Sequence, residues 1–437
     1  MKKRKKAAKF KTGCTGILLI FLFLFLLTGC GTEKSEERSS EADQKDRLQI
    51  GMSFDSFVIE RWLRDRDQFE LTAKELGAEV NVQVAHGDVQ QQISQIRYFI
   101  KKKMDVIVVI AVDGNALENV VEEAQREGIR VISYDRLLMN AKTDLYISFD
   151  NEMVGTLMAE ALKKALPDGG NIFAIYGSPT DYNTTMVKKG FLEALSGSNL
   201  NIVYSNYCEN WLAELAFDAV EEGLATTPRN LVGVMCGNDD LASQAFRALA
   251  ENRLAGKVVL VGQDADLSGC QRIVEGTQTM TVYKSVEQLA QTAAEFAAAL
   301  GYTKMEEEGR ISEAEIPQQA KVRAKEMESL RTINDAMTYS DEPTIHEAGA
   351  VEQSVGDDAH EVPYYTIDPV AVTAENIDEV IIGSDFHTRE DVYRNVTEYS
   401  IKSVCTRRSP AYDQREHRSC GFCDPECMPD TGRIDQA

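Results

Sequence analysis

The sequence predicts an α/β protein of two lobes, each a parallel sheet covered on both faces by helices. Three observations predict it. From Leu48 onward, short apolar runs alternate with longer amphipathic stretches of helical spacing. The connections between them are short, as in parallel sheets crossed by helices. The runs are too many for one comfortable sheet, so they divide between two lobes.

The strand candidates of the first half are Gln49–Phe54, Val80–Ala85, Val106–Ile110, Val131–Tyr134 and Tyr146–Phe149. Those of the second half are Ile172–Tyr176, Ile202–Ser205, Leu231–Met235, Val258–Val261 and Thr279–Val282. Asp88–Lys103, Leu117–Glu127, Asp240–Glu251 and Ser285–Leu300 have helical periodicity. Open α/β sheets bind ligands beyond the carboxyl ends of their strands, so the loops after each run are where function should sit.

Bulk properties narrow the classes. The chain has 437 residues, enough for two cores. Its net charge of −23 argues against a nucleic-acid partner, because phosphate binding needs clustered Lys and Arg. The N-terminus combines a basic stretch, Lys2 to Lys11, with the apolar run Ile17–Leu27. That is the layout of a secretory signal. It ends in Leu27-Thr28-Gly29-Cys30, which resembles a bacterial lipobox and implies acylation of Cys30. Residues 1–30 are therefore expected to be a lipoprotein signal peptide and 31–47 a polar tether. The chain would then be exported and held by lipid at the outer face of the cell membrane.

The strand-end loops carry Asp55, Arg61-Trp62, Asp135-Arg136, Asp181-Tyr182-Asn183, Asn210-Trp211, Asn238-Asp239, Gln263-Asp264-Ala265-Asp266 and Lys284. Taken singly, each Asp or Asn reads as a helix N-cap, Trp62 as core packing and Arg61 as part of a solvated charge run. Taken together they read as a sugar site. Hydroxyls call for planar Asp, Asn and Arg groups, and the C–H face of a sugar ring calls for flat aromatic faces. No Gly-rich phosphate loop suggests a nucleotide. His86 is the only histidine before residue 346, so the body offers no metal cluster and no cofactor is expected.

The motifs Ile59-Glu60-Arg61-Trp62, Tyr134-Asp135-Arg136, Tyr146 to Glu152, Gly177-Ser178-Pro179, Gly262 to Leu267 and Gly276 to Lys284 resemble the D-xylose-binding proteins of bacterial ABC importers. The resemblance runs from Leu48 to Gly301 and resumes over Val362–Val392. It implies a type I periplasmic-binding-protein fold: two Rossmann-like lobes hinged by three crossovers and closing on a sugar. It also implies ligand roles for Arg61, Trp62, Asp135, Arg136, Asp181, Asn183, Trp211, Asn238, Asp264 and Lys284. Tyr182 and Asp113 depart from the expected pattern. Hinge bending is expected at Phe149–Asn151 and Tyr283–Lys284.

The lobes are expected at 48–148 with 285–301, and at 149–284 with 362–394. Residues 302–361 are expected to form an acidic insertion, mostly disordered, with a helix possible over Gln318–Asn334. The tail, 395–437, holds Cys420, Cys423 and Cys427 with Cys405 upstream; disulfides, zinc or no role remain open. Cys208, Cys236 and Cys270 read as small buried residues. The expected function is capture of a monosaccharide, D-xylose or a close aldose, for an ABC permease. The alternative is a sensor that signals to a membrane histidine kinase or chemoreceptor. An enzyme would need Asp135, Asp181 or Asp264 as paired acids, but each has Arg, Lys or Asn beside it.

Overall fold

The computed structural model describes residues 47–59, 61–227, 230–334, 337–339, 353–355 and 360–396. The signal with Cys30, the tether and the tail cysteines lie outside the described residues.

The first lobe is laid down as β1 (Gln49–Phe54), α1 (Arg61–Glu75), β2 (Glu79–Val84), α2 (Val89–Lys102), β3 (Val106–Val109), α3 (Glu118–Arg126), β4 (Arg130–Tyr134) and β5 (Leu145–Phe149). The second lobe continues as α4 (Asn151–Ala165), β6 (Gly170–Tyr176), α5 (Tyr182–Leu195), β7 (Leu200–Tyr207), α6 (Glu214–Thr226), β8 (Leu231–Cys236), α7 (Asp239–Glu251), β9 (Val259–Gln263), α8 (Leu267–Glu275) and β10 (Met280–Tyr283). Then come α9 (Val286–Glu307), α10 (Gln318–Met327) and β11 (Arg331–Asn334). A small ladder pairs β12 (Met337–Tyr339) with β13 (Gln353–Val355). The chain ends its described course with β14 (Glu361–Ile367), β15 (Val370–Val372) and α11 (Arg389–Val392).

All ten strands expected from the apolar runs are present. They form runs such as Val106–Val109, buried throughout, because both faces of a parallel sheet are covered. One sheet has the order β11-β14-β5-β4-β3-β1-β2 and the other β15-β10-β9-β8-β6-β7. The parallel cores, β2-β1-β3-β4-β5 and β7-β6-β8-β9-β10, repeat one topology. Each reverses direction beside its first strand, which opens a crevice at the carboxyl ends.

The chain crosses between lobes three times: after Phe149, after Tyr283 and between Ile367 and Val370. The third crossing corrects the expected lobe boundary. The 362–394 segment does not belong wholly to the second lobe. Its strand β14 pairs parallel with β5 in the first sheet, with Tyr364 beside Tyr146, and only β15 joins β10. The run Val362–Ile367 is half-polar, and its periodicity could not reveal which open edge it completes.

The expected disorder of 302–361 is corrected over its described first half. Helix α9 runs on to Glu307 and packs along α1. Tyr302 donates to Leu76 O at 2.6 Å, and Arg310 pairs with Asp105. Helix α10 lies on α9, tied by Arg323 to Glu295 at 2.7 Å, and β11 adds an antiparallel edge to β14. The expected helix over 318–334 ends at Met327, and its last residues form that edge strand.

Candidate functional site

None of the ten residues singled out in the sequence is more than 8% exposed; nine of them are brought together by the contacts below, and Asn238 stands just beyond the carboxyl end of β8. Three of the loops that supply them share a device. Asp135, Asp264, Ala265, Asn210 and Trp211 have φ of 63°, 88°, 53°, 53° and 57°. Such left-handed backbone in non-glycine residues costs about 1–3 kcal/mol each and persists only where the surroundings enforce it. Here the enforcement is visible. Asp135 N donates to Ile147 O at 2.7 Å, and Asp264 N donates to Val282 O at 2.8 Å. The turn after the strand then throws each carboxylate into the cleft.

Two residues serve at once as helix caps and as site groups. Asp181 caps α5: its Oδ1 accepts from Asn183 N at 2.9 Å. Its Oδ2 accepts from Trp211 Nε1 at 3.0 Å and lies 2.8 Å from Arg136 Nε. Asn238 caps α7 through Oδ1, which accepts from Leu241 N at 2.9 Å, and its Nδ2 is buried without a hydrogen bond. The cap assignment and the ligand assignment are therefore compatible.

On the first lobe, Arg61 donates to both oxygens of Asp65, at 3.2 and 3.1 Å, and reaches Asp135 Oδ2 at 2.9 Å. Tyr134 donates its hydroxyl to Asp65. Arg136 donates to Asp55 Oδ2 at 2.7 Å and to Ala111 O at 2.8 Å. Across the cleft, Asn183 Nδ2 donates to Asp135 Oδ1 at 2.8 Å, and Asn151 Nδ2 donates to Asn183 Oδ1 at 2.9 Å. That pair is possible because α4 and α5 touch backbone to backbone. A Cβ on Gly155 would stand 2.0 Å from Val187 O, and one on Gly190 would stand 1.9 Å from Glu152 O. On the second lobe, Lys284 Nζ lies 2.7 Å from Asp264 Oδ1.

Flat faces complete the site. Arg61 lies 4.4 Å from the Trp62 ring centre, and Arg136 lies 5.5 Å from it. Phe149, at the hinge, has Arg61 at 5.3 Å and Lys284 at 5.6 Å from its ring centre. The Trp211 ring lies so close over Gly177 that a Cβ there would meet it at 2.1 Å.

The charges are unevenly balanced. Burial pushes the carboxyls of Asp55, Asp65 and Asp181 up, and their arginines only partly oppose it. Burial acts on Asp135 too, but Arg61, Lys284 and Arg136 together hold it below the usual carboxylate range. Asp135 is thus a firm anion, suited to accept hydrogen bonds. Behind the second lobe's loops, Asp239 accepts from Gln278 Nε2 at 2.7 Å, Thr281 Oγ1 at 2.6 Å and Asp266 N at 3.2 Å. It anchors the turn that carries Asp264.

Several buried atoms here hold neither a hydrogen bond nor an ion-pair contact among the described residues: Trp62 Nε1, Arg136 Nη2, Asn238 Nδ2 and Gln263 Oε1. Buried polar groups ordinarily find partners. Asp135 Oδ2, Arg136 Nε and Asp264 Oδ1 are instead held by ion pairs, at 2.9 Å to Arg61, 2.8 Å to Asp181 and 2.7 Å to Lys284.

The sequence missed Asp65, Phe149 and Asn151 as members of this network. Asp65 was hidden in a charge run; its spacing of four from Arg61, one helical turn, was the available signal. Of the two departures, Asp113 accepts from Asn115 N at 2.9 Å in its own turn, and Tyr182 borders a separate groove with Tyr146 and Tyr364. Among the described residues, no cluster of three or more His, Cys, Asp and Glu could hold a metal ion.

Comparison with known proteins agrees with this architecture. The periplasmic binding protein domain matches residues 50–303. The D-xylose-binding periplasmic protein of Haemophilus influenzae is 39% identical over 359 residues, covering 81% of this chain and 95% of that protein. Its namesake in Escherichia coli is 44% identical over 258 residues, covering 58% of this chain and 78% of that protein. An ABC transporter solute-binding protein from Clostridium phytofermentans, solved with bound β-D-glucose, superposes with a TM-score of 0.61 at 26% identity, over 79% of this chain and 99% of that one. Two lobes of one repeated topology, a polar cleft at their strand ends and these relatives lead to one conclusion: the chain belongs to the periplasmic binding protein family.

Proposed function

We propose that this protein captures D-xylose between its lobes and delivers it to an ABC transporter from outside the cytoplasm. The observation that carries the proposal is the set of buried donors and acceptors without hydrogen bonds, gathered between Trp62, Phe149 and Trp211. Trp62 Nε1, Arg136 and Asn238 Nδ2 offer N–H groups to sugar oxygens; Asp135, Asp264 and Gln263 accept from sugar hydroxyls. The aromatic rings cover the C–H faces. The relatives named for D-xylose support the choice of sugar.

Closure stems from the same contacts. Arg136 to Asp181 and Asn183 to Asp135 join residues of opposite lobes. A sugar that binds both halves favours the closed state over the open one. No hydrolysis is expected, because each buried carboxylate is engaged by a cation or an amide rather than poised as an acid–base pair. We assign Cys30 as the acylated residue that holds the protein at the membrane, on the strength of the Leu27-Thr28-Gly29-Cys30 motif.

Calorimetric titration of the full chain with D-xylose, D-glucose, L-arabinose, D-ribose and D-galactose tests the proposal. Saturable binding, tightest for xylose, is expected. Tighter binding of a hexose would reassign the ligand.

A further inference from the structure

The buried cluster does not account for all the space between the lobes. Beside it lies a cavity of about 500 Å³. Of the ten buried site residues only Arg136 and Trp211 line it. Its walls come from both lobes: Phe57 and Val58 from the loop after β1, and Leu212 from the loop after β7. Val58 is 51% exposed and Leu212 37% exposed, so the opposing lips are apolar and open to solvent.

The cluster and the cavity differ in chemistry. The inner one presents charged and amide groups with open hydrogen-bonding capacity, as one sugar ring requires. The outer one presents apolar walls with scattered polar groups, among them Ser56, His86 and Asn210. A volume near 500 Å³ falls within the ~300–1,000 Å³ range of pockets that enclose whole small-molecule ligands. Arg136 and Trp211 belong both to the cluster and to the cavity wall, so a ring held in the cluster would adjoin the cavity there. A substituent there would place a ring face between the Val58 and Leu212 lips.

We infer that the ligand class extends beyond the free pentose to glycosides: the inner cluster holds a xylosyl unit, and the outer cavity holds a second sugar ring or an aryl group joined to it. The inference rests on the assignment of the inner cluster to xylose. Lip residues touch only the outer unit, so they set selectivity between glycoside and free sugar without altering recognition of the sugar itself.

The test is titration of the full chain, kept in detergent, with D-xylose, xylobiose and 4-nitrophenyl β-D-xyloside. The inference expects xylobiose and the aryl xyloside to bind within about tenfold of xylose, a difference of one RT ln 10 step or less. It also expects Val58→Ser with Leu212→Ser to weaken the two glycosides by about tenfold while xylose stays within about twofold. Binding of xylose with no response to either glycoside would overturn the inference and leave the xylose assignment standing. So would equal weakening of all three ligands by the lip variants. Failure of all three ligands to bind would overturn both together.

Discussion

Asp135 and Asp264 occupy equivalent places in the two lobes, yet they are supported in opposite ways. Each comes after the fourth strand of its sheet, each has a left-handed backbone, and each is pinned by an amide bond to the fifth strand. Asp135 is surrounded: Arg61 reaches one oxygen and Asn183, from the other lobe, donates to the other. Asp264 has Lys284 at 2.7 Å, and its turn is held from behind by Asp239. The first half of the site is thus fixed by several direct ion pairs, and the second by a single ion pair and a buried scaffold one layer back. The contrast predicts that damage to the first half costs stability, whereas damage to the second half mainly costs binding.

The largest stability loss is expected for Arg61→Ala. It strands Asp65 and Asp135 as buried carboxylates without their cation, which costs about 3–5 kcal/mol. Urea denaturation without sugar measures it; a loss near zero would break the contrast. Asp264→Ala is expected to weaken sugar binding by on the order of 100-fold, within the range for a buried charged partner, while the urea midpoint changes less than in Arg61→Ala. Asn183→Ala removes one bridge between the lobes and is expected to weaken binding by about tenfold.

The scaffold behind Asp264 makes a pH prediction. Burial raises the Asp239 carboxyl from 3.8 to about 7, against the opposing pull of Arg272. The folded protein therefore keeps a proton that the unfolded chain releases at lower pH. The stability from this group is full in acid and is lost as pH rises through about 7. Tm should fall between about pH 4 and about pH 7, and Asp239→Asn should flatten that fall. An unchanged slope in the variant would remove Asp239 from the account. At the small end, Arg97→Ala removes a salt bridge with Glu123 at the surface and should alter neither Tm nor sugar binding measurably.

Most of the site was legible because the strand-end rule converts a one-dimensional pattern into a place. Asp55, Arg136, Asp181, Asn238 and Asp264 were found in the loops that succeed the apolar runs. Asn151 was not, since its role depends on α4 and α5 touching at Gly155 and Gly190, a contact that local periodicity does not encode. Phe149 read as the end of a strand and the start of a hinge, and its ring contacts with Arg61 and Lys284 were not foreseen. The same limit explains β14. A short strand does not announce which sheet edge it joins, and Val362–Ile367 completes the first sheet before the chain crosses over. The acidic composition of 302–334 suggested disorder, but Ala320 is fully buried and Arg323 finds Glu295, so a thin apolar stripe and a few ion pairs were enough to seat α10.

The central claim is that a sugar closes the two lobes around Trp62 and Trp211, the only two tryptophans of the chain. Intrinsic fluorescence of the full chain during titration with D-xylose tests it most directly. The account predicts a saturable change in intensity or emission maximum that Asp264→Ala abolishes. A signal that does not move with xylose or any other aldose would contradict it.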